Sequence, residues 1–450
     1  MVLPLSAALL KLLISIWISL EANMMNRFLM KFFNVLLVFA FAGSLTLGSN
    51  TVFAQSGQCN VNRDVGTKAL DELTWKQLNR IQEEVAAKKY EEAYANLSRM
   101  LSRAGRDVYL QAILNQALAQ VEWSRENYTE SLRYFERAVE LDALPNPAHF
   151  TLMYQISQLY FMQERYDEAL VKLDLWFCTV PKEDITSAAY VLQASIFIQK
   201  KDYSGALKAI SSAIAMSDDP KESWYQLKLG AHYELEQYPQ AAETLEIMIS
   251  RWPEKKLYWV QLSQIYFRLK QDERSLAILA LAHLNGLLDK QSDLIYLSSL
   301  YSSVSLPYKA AEVLQEGISS GVVEPTKKHW TVIAESWYAA EELERSLAAY
   351  EEAGKAASDG VIDLRRSYIL IDLERWPAAL ESLNLALEKG GLDDRRTGEA
   401  YLLRGMAQFN LGNYDSASSD WGKAGRYEKS RDAARQWMNH LQEERRRRAP

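Results

Sequence analysis

The chain has 450 residues, more than one ordinary hydrophobic core organises, and a formal net charge of −7. An acidic body excludes the basic footprint of a nucleic-acid binder. No low-complexity stretch longer than a turn interrupts it.

The first segment reads as a leader and stays outside the fold. Met25-Asn26-Arg27 through Lys31 supply a positive start, Phe32 to Leu47 an apolar run, and Val52-Phe53-Ala54 a small-x-Ala cleavage pattern. Residues 1–54 are then removed and the mature chain begins at Gln55. An earlier apolar run, broken by Lys11, precedes Met24. It reads either as sequence upstream of a true start at Met24 or Met25, or as part of a two-segment membrane anchor. Losing Lys11, Arg27 and Lys31 against Glu21 takes the formal charge to −9. Export of this kind points to a periplasm, where disulfides form. Cys59 and Cys178 are the only cysteines. They form one bridge from the arm at 55–73 to residue 178, or leave Cys178 free and buried with Cys59 exposed. Gln58 stands where lipid attachment to Cys59 needs a small residue.

From 74 to 425 one pattern recurs ten times. An anchor is followed by a small residue at +3, a large apolar one at +7 and a small or apolar one at +10. The anchors are Tyr90, Tyr128, Tyr166, Tyr203, Tyr238, Asp272, Pro307, Leu343, Trp376 and Tyr414, with steps between 33 and 38 residues. After Tyr203 come Ala206, Ile210 and Ala213, one stripe of a helix; Tyr190, Ala194 and Phe197 form a second stripe before it. Lys201-Asp202 marks the turn between the two. Pro181 and Pro253 close second helices fifteen residues after their anchors. Three hairpins fit least well. The first has only Leu78, Ile81 and Val85, the fifth is one residue short before Tyr238, and the ninth has Arg366 at an apolar position.

The last segment, 426–450, predicts a capping helix from near Ser430, with Ala434, Trp437 and Leu441 on its inner face. Arg445-Arg446-Arg447-Arg448 ends it, as a solvated tail or a weak contact with anionic membrane. The sequence offers no chemistry to set beside this. His149, His232, His283, His329 and His440 show no metal-ligand spacing, and neither a phosphate-cradling glycine loop nor a Gly-x-Ser-x-Gly elbow is present. The expectation is no enzyme, no catalytic residue, no metal and no cofactor.

A period near 35 with this content resembles the tetratricopeptide repeat family. The resemblance implies an all-α, right-handed superhelical solenoid of about ten hairpins with a C-terminal capping helix. It also implies that the first helix of each hairpin lines a concave face. Counting back twelve, eight and five from the anchors gives Gln116, Gln120 and Trp123; Tyr154, Gln158 and Phe161; Val260, Gln264 and Phe267; and Thr331, Glu335 and Tyr338. Gln226 and Tyr233 come from the fifth hairpin. The Lys and Asn pattern of family members that clamp a terminal carboxylate is missing. Amides alternate with rings instead, which suits an extended, proline-rich or apolar peptide. The alternative is that the rings only pack between successive first helices.

A narrower likeness rests on Trp224-Tyr225-Gln226-Leu227, Tyr258-Trp259-Val260-Gln261-Leu262-Ser263, Pro307-Tyr308-Lys309-Ala310-Ala311, Gly390-Gly391-Leu392, Ala400-Tyr401-Leu402-Leu403 and Ala433-Ala434-Arg435-Gln436-Trp437. These are similar to exported tetratricopeptide proteins encoded beside TonB, ExbB and ExbD-type energy transducers of Gram-negative bacteria. That likeness implies a periplasmic accessory of iron-complex uptake, with a proline-rich TonB segment as a partner. A scaffold for another envelope or polysaccharide-export machine is the alternative. A superhelical peptidoglycan-cleaving enzyme is the third reading.

Overall fold

A computed structural model of the chain describes residues 63–448; the leader, the cleavage site at Gln55 and Cys59 lie outside the described residues. Among these residues the structure is helical throughout, without a strand. Hairpins one to five are α1 (Glu72–Ala86) with α2 (Tyr90–Arg103), α3 (Val108–Ser124) with α4 (Tyr128–Glu140), α5 (Asn146–Met162) with α6 (Tyr166–Thr179), α7 (Ser187–Gln199) with α8 (Tyr203–Ala215), and α9 (Glu222–Glu234) with α10 (Tyr238–Arg251). Hairpins six to eight are α11 (Lys256–Arg268) with α12 (Asp272–Leu284), α13 (Gln291–Ser303) with α14 (Pro307–Ser319), and α15 (Lys327–Ala339) with α16 (Leu343–Lys355). The ninth and tenth are α17 (Val361–Asp372) with α18 (Trp376–Lys389) and α19 (Asp394–Asn410) with α20 (Tyr414–Ala424), followed by α21 (Arg431–Arg448). All ten anchors are the first residue of a second helix.

Two compact units divide within α10, after Thr244. In the first, each helix packs on the helices before and after it in sequence, from α1 to α9. The second shows the same chain of neighbours from α11 to α21.

The turn explains why the anchors keep phase. Two residues before each anchor the backbone goes left-handed: Lys88, Glu126, Glu164, Lys201, Glu236, Lys270, Ser305, Glu341, Glu374 and Gly412 all have positive φ. The following N–H reaches back to a carbonyl of the last turn of the first helix, as Asp202 N does to Phe197 O at 2.9 Å and Arg375 N to Leu370 O at 2.8 Å. That bond satisfies a carbonyl the helix end would leave open and ends the helix at a fixed register.

Within a hairpin the helices cross where the −9 and +3 residues meet. Ala194 and Ala206 fill that crossing in hairpin four, both fully buried. In hairpins two, three, six, seven and eight a buried serine takes one place and donates to the facing carbonyl. Ser131 Oγ bonds Ala119 O at 2.9 Å, Ser157 Oγ bonds Ala169 O at 2.8 Å, and Ser346 Oγ bonds Ala334 O at 2.7 Å. The residue stays small while its hydroxyl stays satisfied. In hairpin ten the −9 residue is Gly405, because the Trp421 ring lies against it; a Cβ there would sit 2.4 Å from Trp421 Nε1.

The three poorly fitting hairpins all form. In the ninth, Arg366 is half-buried with Nε unpaired. The C-terminal helix begins at Arg431; Ala434 and Leu441 are buried, and Trp437 stacks on Trp421 at 5.4 Å.

Candidate functional site

The −5 rings behave according to their own anchors. Trp123 packs on Tyr128 at 5.5 Å, Phe161 on Tyr166 at 5.8 Å and Tyr233 on Tyr238 at 6.2 Å. Each clasps the turn of its own hairpin, so the ring is committed to the fold. Hairpins six and eight have Asp272 and Leu343 as anchors, and there the ring has no aromatic to lie on. Phe267 and Tyr338 are accordingly 43% and 45% exposed. Tyr338 Oη donates to Asp372 Oδ2 at 3.3 Å.

Positions −12 and −8 divide as well. Gln116 is half-buried, while Gln120 and Gln264 are exposed. Tyr154 leans on Trp176 at 5.5 Å; burial pushes its phenol pKa up, and a hydrogen bond with Gln158 opposes that. Gln226 is 5% exposed, an interior residue. Val260 packs against the core of the second unit, Thr331 Oγ1 donates to Lys327 O at 2.7 Å, and Glu335 pairs with Arg365.

Gln116 and Gln120 come together in a cleft of about 360 Å³ in the first unit. α1 contributes Leu78, Ile81, Gln82 and Val85, α2 contributes Leu97, and α3 adds Ile113, Ala117 and Val121. The lining carries three amides and no charge, so it accepts an apolar group beside main-chain donors and acceptors.

Tetratricopeptide repeat profiles match residues 109–173, 231–286 and 364–433. These three segments are tetratricopeptide repeats. Similar solved structures include a tetratricopeptide repeat protein from Parabacteroides merdae, 13% identical over 64% of this chain and 94% of that one, TM-score 0.35. Another is the TPR2AB domain of yeast Sti1 in a pHSP90 complex, 16% identical over 57% and 96%, TM-score 0.30. A third is YrrB, described as having an unusual peptide-binding site, 14% identical over 41% and 89%, TM-score 0.33. No curated protein matches the chain.

The tetratricopeptide repeats are those of a protein–protein interaction scaffold. Among the described residues no cluster of histidines, cysteines or carboxylates could hold a metal ion, and no helix is long and apolar enough to cross a membrane. Cys178 is disulfide-bonded, and the expected partner Cys59 lies outside the described residues. Arg445 in the basic tail pairs with Asp415 at 2.5 Å, while Arg446 and Arg447 are exposed.

Repeat arithmetic missed two groups of polar residues. One is the set of links between successive hairpins. Arg125 reaches Glu91 at 2.7 Å, Lys327 reaches Asp359 at 2.7 Å, and Arg375 Nη1 reaches Glu344 at 3.0 Å. Aromatic tips at −6 bond the preceding second helix: Trp337 Nε1 donates to Gln315 Oε1 at 2.9 Å, and the Tyr160 hydroxyl donates to Glu136. Burial and that carboxylate together push the Tyr160 pKa up. The repeat pattern places the −6 aromatics but not their acceptors, which sit one hairpin away.

The other group joins the arm before α1 to the turn between α4 and α5. Arg63 Nε donates to Asp142 Oδ1 at 2.8 Å, and Asn146 Nδ2 donates to Arg63 O at 2.6 Å. His149, behind them, is 6% exposed; its Nδ1 makes no hydrogen bond and lies 3.8 Å from Asp142 Oδ1. Its pKa is held down at about 4, first by burial and then by the Arg63 charge. No periodic signal marks these residues, since one partner lies outside the repeats.

Proposed function

We propose that the protein is a non-enzymatic scaffold of the periplasm, accessory to a TonB-type energy-transducing complex for iron-complex uptake. It holds an extended segment of its partner against the first helices, with Gln116, Gln120, Tyr154 and Gln158 as the contact residues of the first unit; Gln264, Phe267 and Tyr338 are separate candidates within the second. The observation that carries the reading is the cleft between α1 and α3, where an apolar floor is edged by Gln82, Gln116 and Gln120. An amide can give and take a hydrogen bond with one peptide unit, and the floor takes a proline or aliphatic side chain without desolvating a charge. The proline-rich segment that the TonB likeness implies has this chemistry. The leader pattern at 25–54 supports export.

Photo-crosslinkers at Gln116 and Phe267 in whole cells test the partner. TonB-, ExbB- or ExbD-like polypeptides are the expected capture; an outer-membrane assembly machine or a polysaccharide synthase would replace this reading with the rival envelope role. For the site, Gln116→Ala with Gln120→Ala should weaken binding of a proline-rich TonB-type peptide. Two lost hydrogen bonds of about 1 kcal/mol each correspond to roughly a ten- to thirty-fold higher Kd. An unchanged titration would move the site off this cleft.

A further inference from the structure

The contacts of residues 63–65 are those of a bound peptide. The Arg63 side chain is 3% exposed and each of its three nitrogens donates one hydrogen bond: Nε to Asp142 Oδ1 at 2.8 Å, Nη1 to Asn146 Oδ1 at 2.6 Å, and Nη2 to Leu144 O at 2.6 Å. Asn146 also reads the main chain. Its Nδ2 donates to Arg63 O at 2.6 Å, its Oδ1 accepts from Val65 N at 3.1 Å, and its own N–H donates to Val65 O at 3.1 Å. One residue thus holds three main-chain groups of an extended segment, while a carboxylate and a carbonyl complete the seat for a guanidinium. The Asp142 side chain remains 57% exposed, so the seat opens to solvent. Past Val65, residues 66–69 are exposed, and Gly66 has open space around its Cα.

We propose that the 142–146 turn is a recognition site for an extended segment carrying arginine two residues before an aliphatic residue. The chain's own Arg63 and Val65 fill it in cis, and a partner protein's segment of the same pattern displaces them. Main-chain pairing to Asn146 is independent of sequence, so selectivity comes from the guanidinium. Its planar fork meets three acceptors at once, which a lysine ammonium on a flexible stem cannot match. Because the arm is tethered, its effective concentration at the seat is high, and it acts as an intramolecular competitor. The seat lies on the turn entering α5, away from the first-helix positions invoked above, and does not depend on them.

The test uses the full mature chain and, as probe, a fluorescein-labelled peptide of residues 60–68. Freed of its competitor, the Arg63→Ala protein should bind the probe about ten-fold or more tightly than the parent. Adding Asn146→Ala should abolish that gain, and a probe with lysine for arginine should bind at least about ten-fold more weakly. Equal binding to parent and Arg63→Ala, or equal binding of the lysine probe, overturns the proposal. Hydrogen exchange on the unmodified protein covers the case in which Arg63→Ala fails to fold. Excess probe should speed exchange at the Val65 amide, and no change refutes displacement. Light scattering should find a monomer; a dimer that the probe dissociates would mean that copies exchange arms, and would replace the partner reading.

Discussion

At the scale of single residues, the hairpin turns carry strain that the sequence does not relieve. Lys201 adopts φ 60° and is solvent-exposed, and among the ten equivalent positions only Gly412 is a glycine. A side chain there costs about 1–2 kcal/mol, partly offset by the greater freedom glycine has when unfolded. Lys201→Gly should therefore stabilise the protein by about 0.5–1 kcal/mol, read as a higher denaturation midpoint in urea; a lower midpoint would show that the turn is unstrained. His149 gives the opposite effect. Its folded pKa of about 4 lies below the unfolded 6.5, so the unfolded state takes up the proton first. The penalty is absent above pH 6.5, grows as the pH falls, and is complete below about 4. It amounts to roughly 3 kcal/mol. His149→Gln should flatten the loss of stability between pH 6.5 and 4 relative to the parent, while the carboxylates common to both proteins cancel in the difference. Parallel stability curves would refute this.

At the scale of the helical element, tight crossing governs what the pattern made legible. The anchors were readable because a small −9 residue faces a small +3 residue in eight of the ten hairpins; Ile81 and Leu229 take the −9 place in the first and fifth, two of the hairpins that fit the pattern least well. Ala206, wholly buried against Ala194, shows the tolerance. Ala206→Leu should force α7 and α8 apart and cost on the order of 1–3 kcal/mol, seen as a lower melting temperature. A melt matching the parent would mean that the crossing has slack. The site was less legible for a reason visible in the same hairpins. Trp123, Phe161 and Tyr233 have the spacing of groove residues, yet each lies on its own anchor ring. Phe267 and Tyr338 share that spacing and remain exposed, because Asp272 and Leu343 offer no ring. Position in the repeat fixes direction from the helix; whether a ring is consumed depends on one further residue. Gln226 likewise keeps its predicted place in the count but lies in the interior. The Arg63 seat had no count to reveal it, since Asn146 opens a helix where the pattern asks for nothing in particular.

At the scale of the whole molecule, stability is a sum of hairpins and the junctions between them, so damage at one end should stay local. The junctions join covalent neighbours through exposed or half-exposed ion pairs such as Arg125 with Glu91, worth little singly and screened by salt. Apolar burial therefore sets the strength of each junction. The C-terminal junction rests on few large groups: Trp421, 1% exposed, is covered by Trp437 at 5.4 Å with the rings nearly parallel, and Phe409 lies against both. Trp437→Ala uncovers Trp421 and removes a stacked pair, a loss of about 2–4 kcal/mol. Hydrogen exchange by mass spectrometry should show faster exchange across α19, α20 and α21, with protection in α1 to α9 equal to that of the parent. Were protection to fall evenly along both units, the chain would be one cooperative block, and the additive account of its hairpins would be wrong.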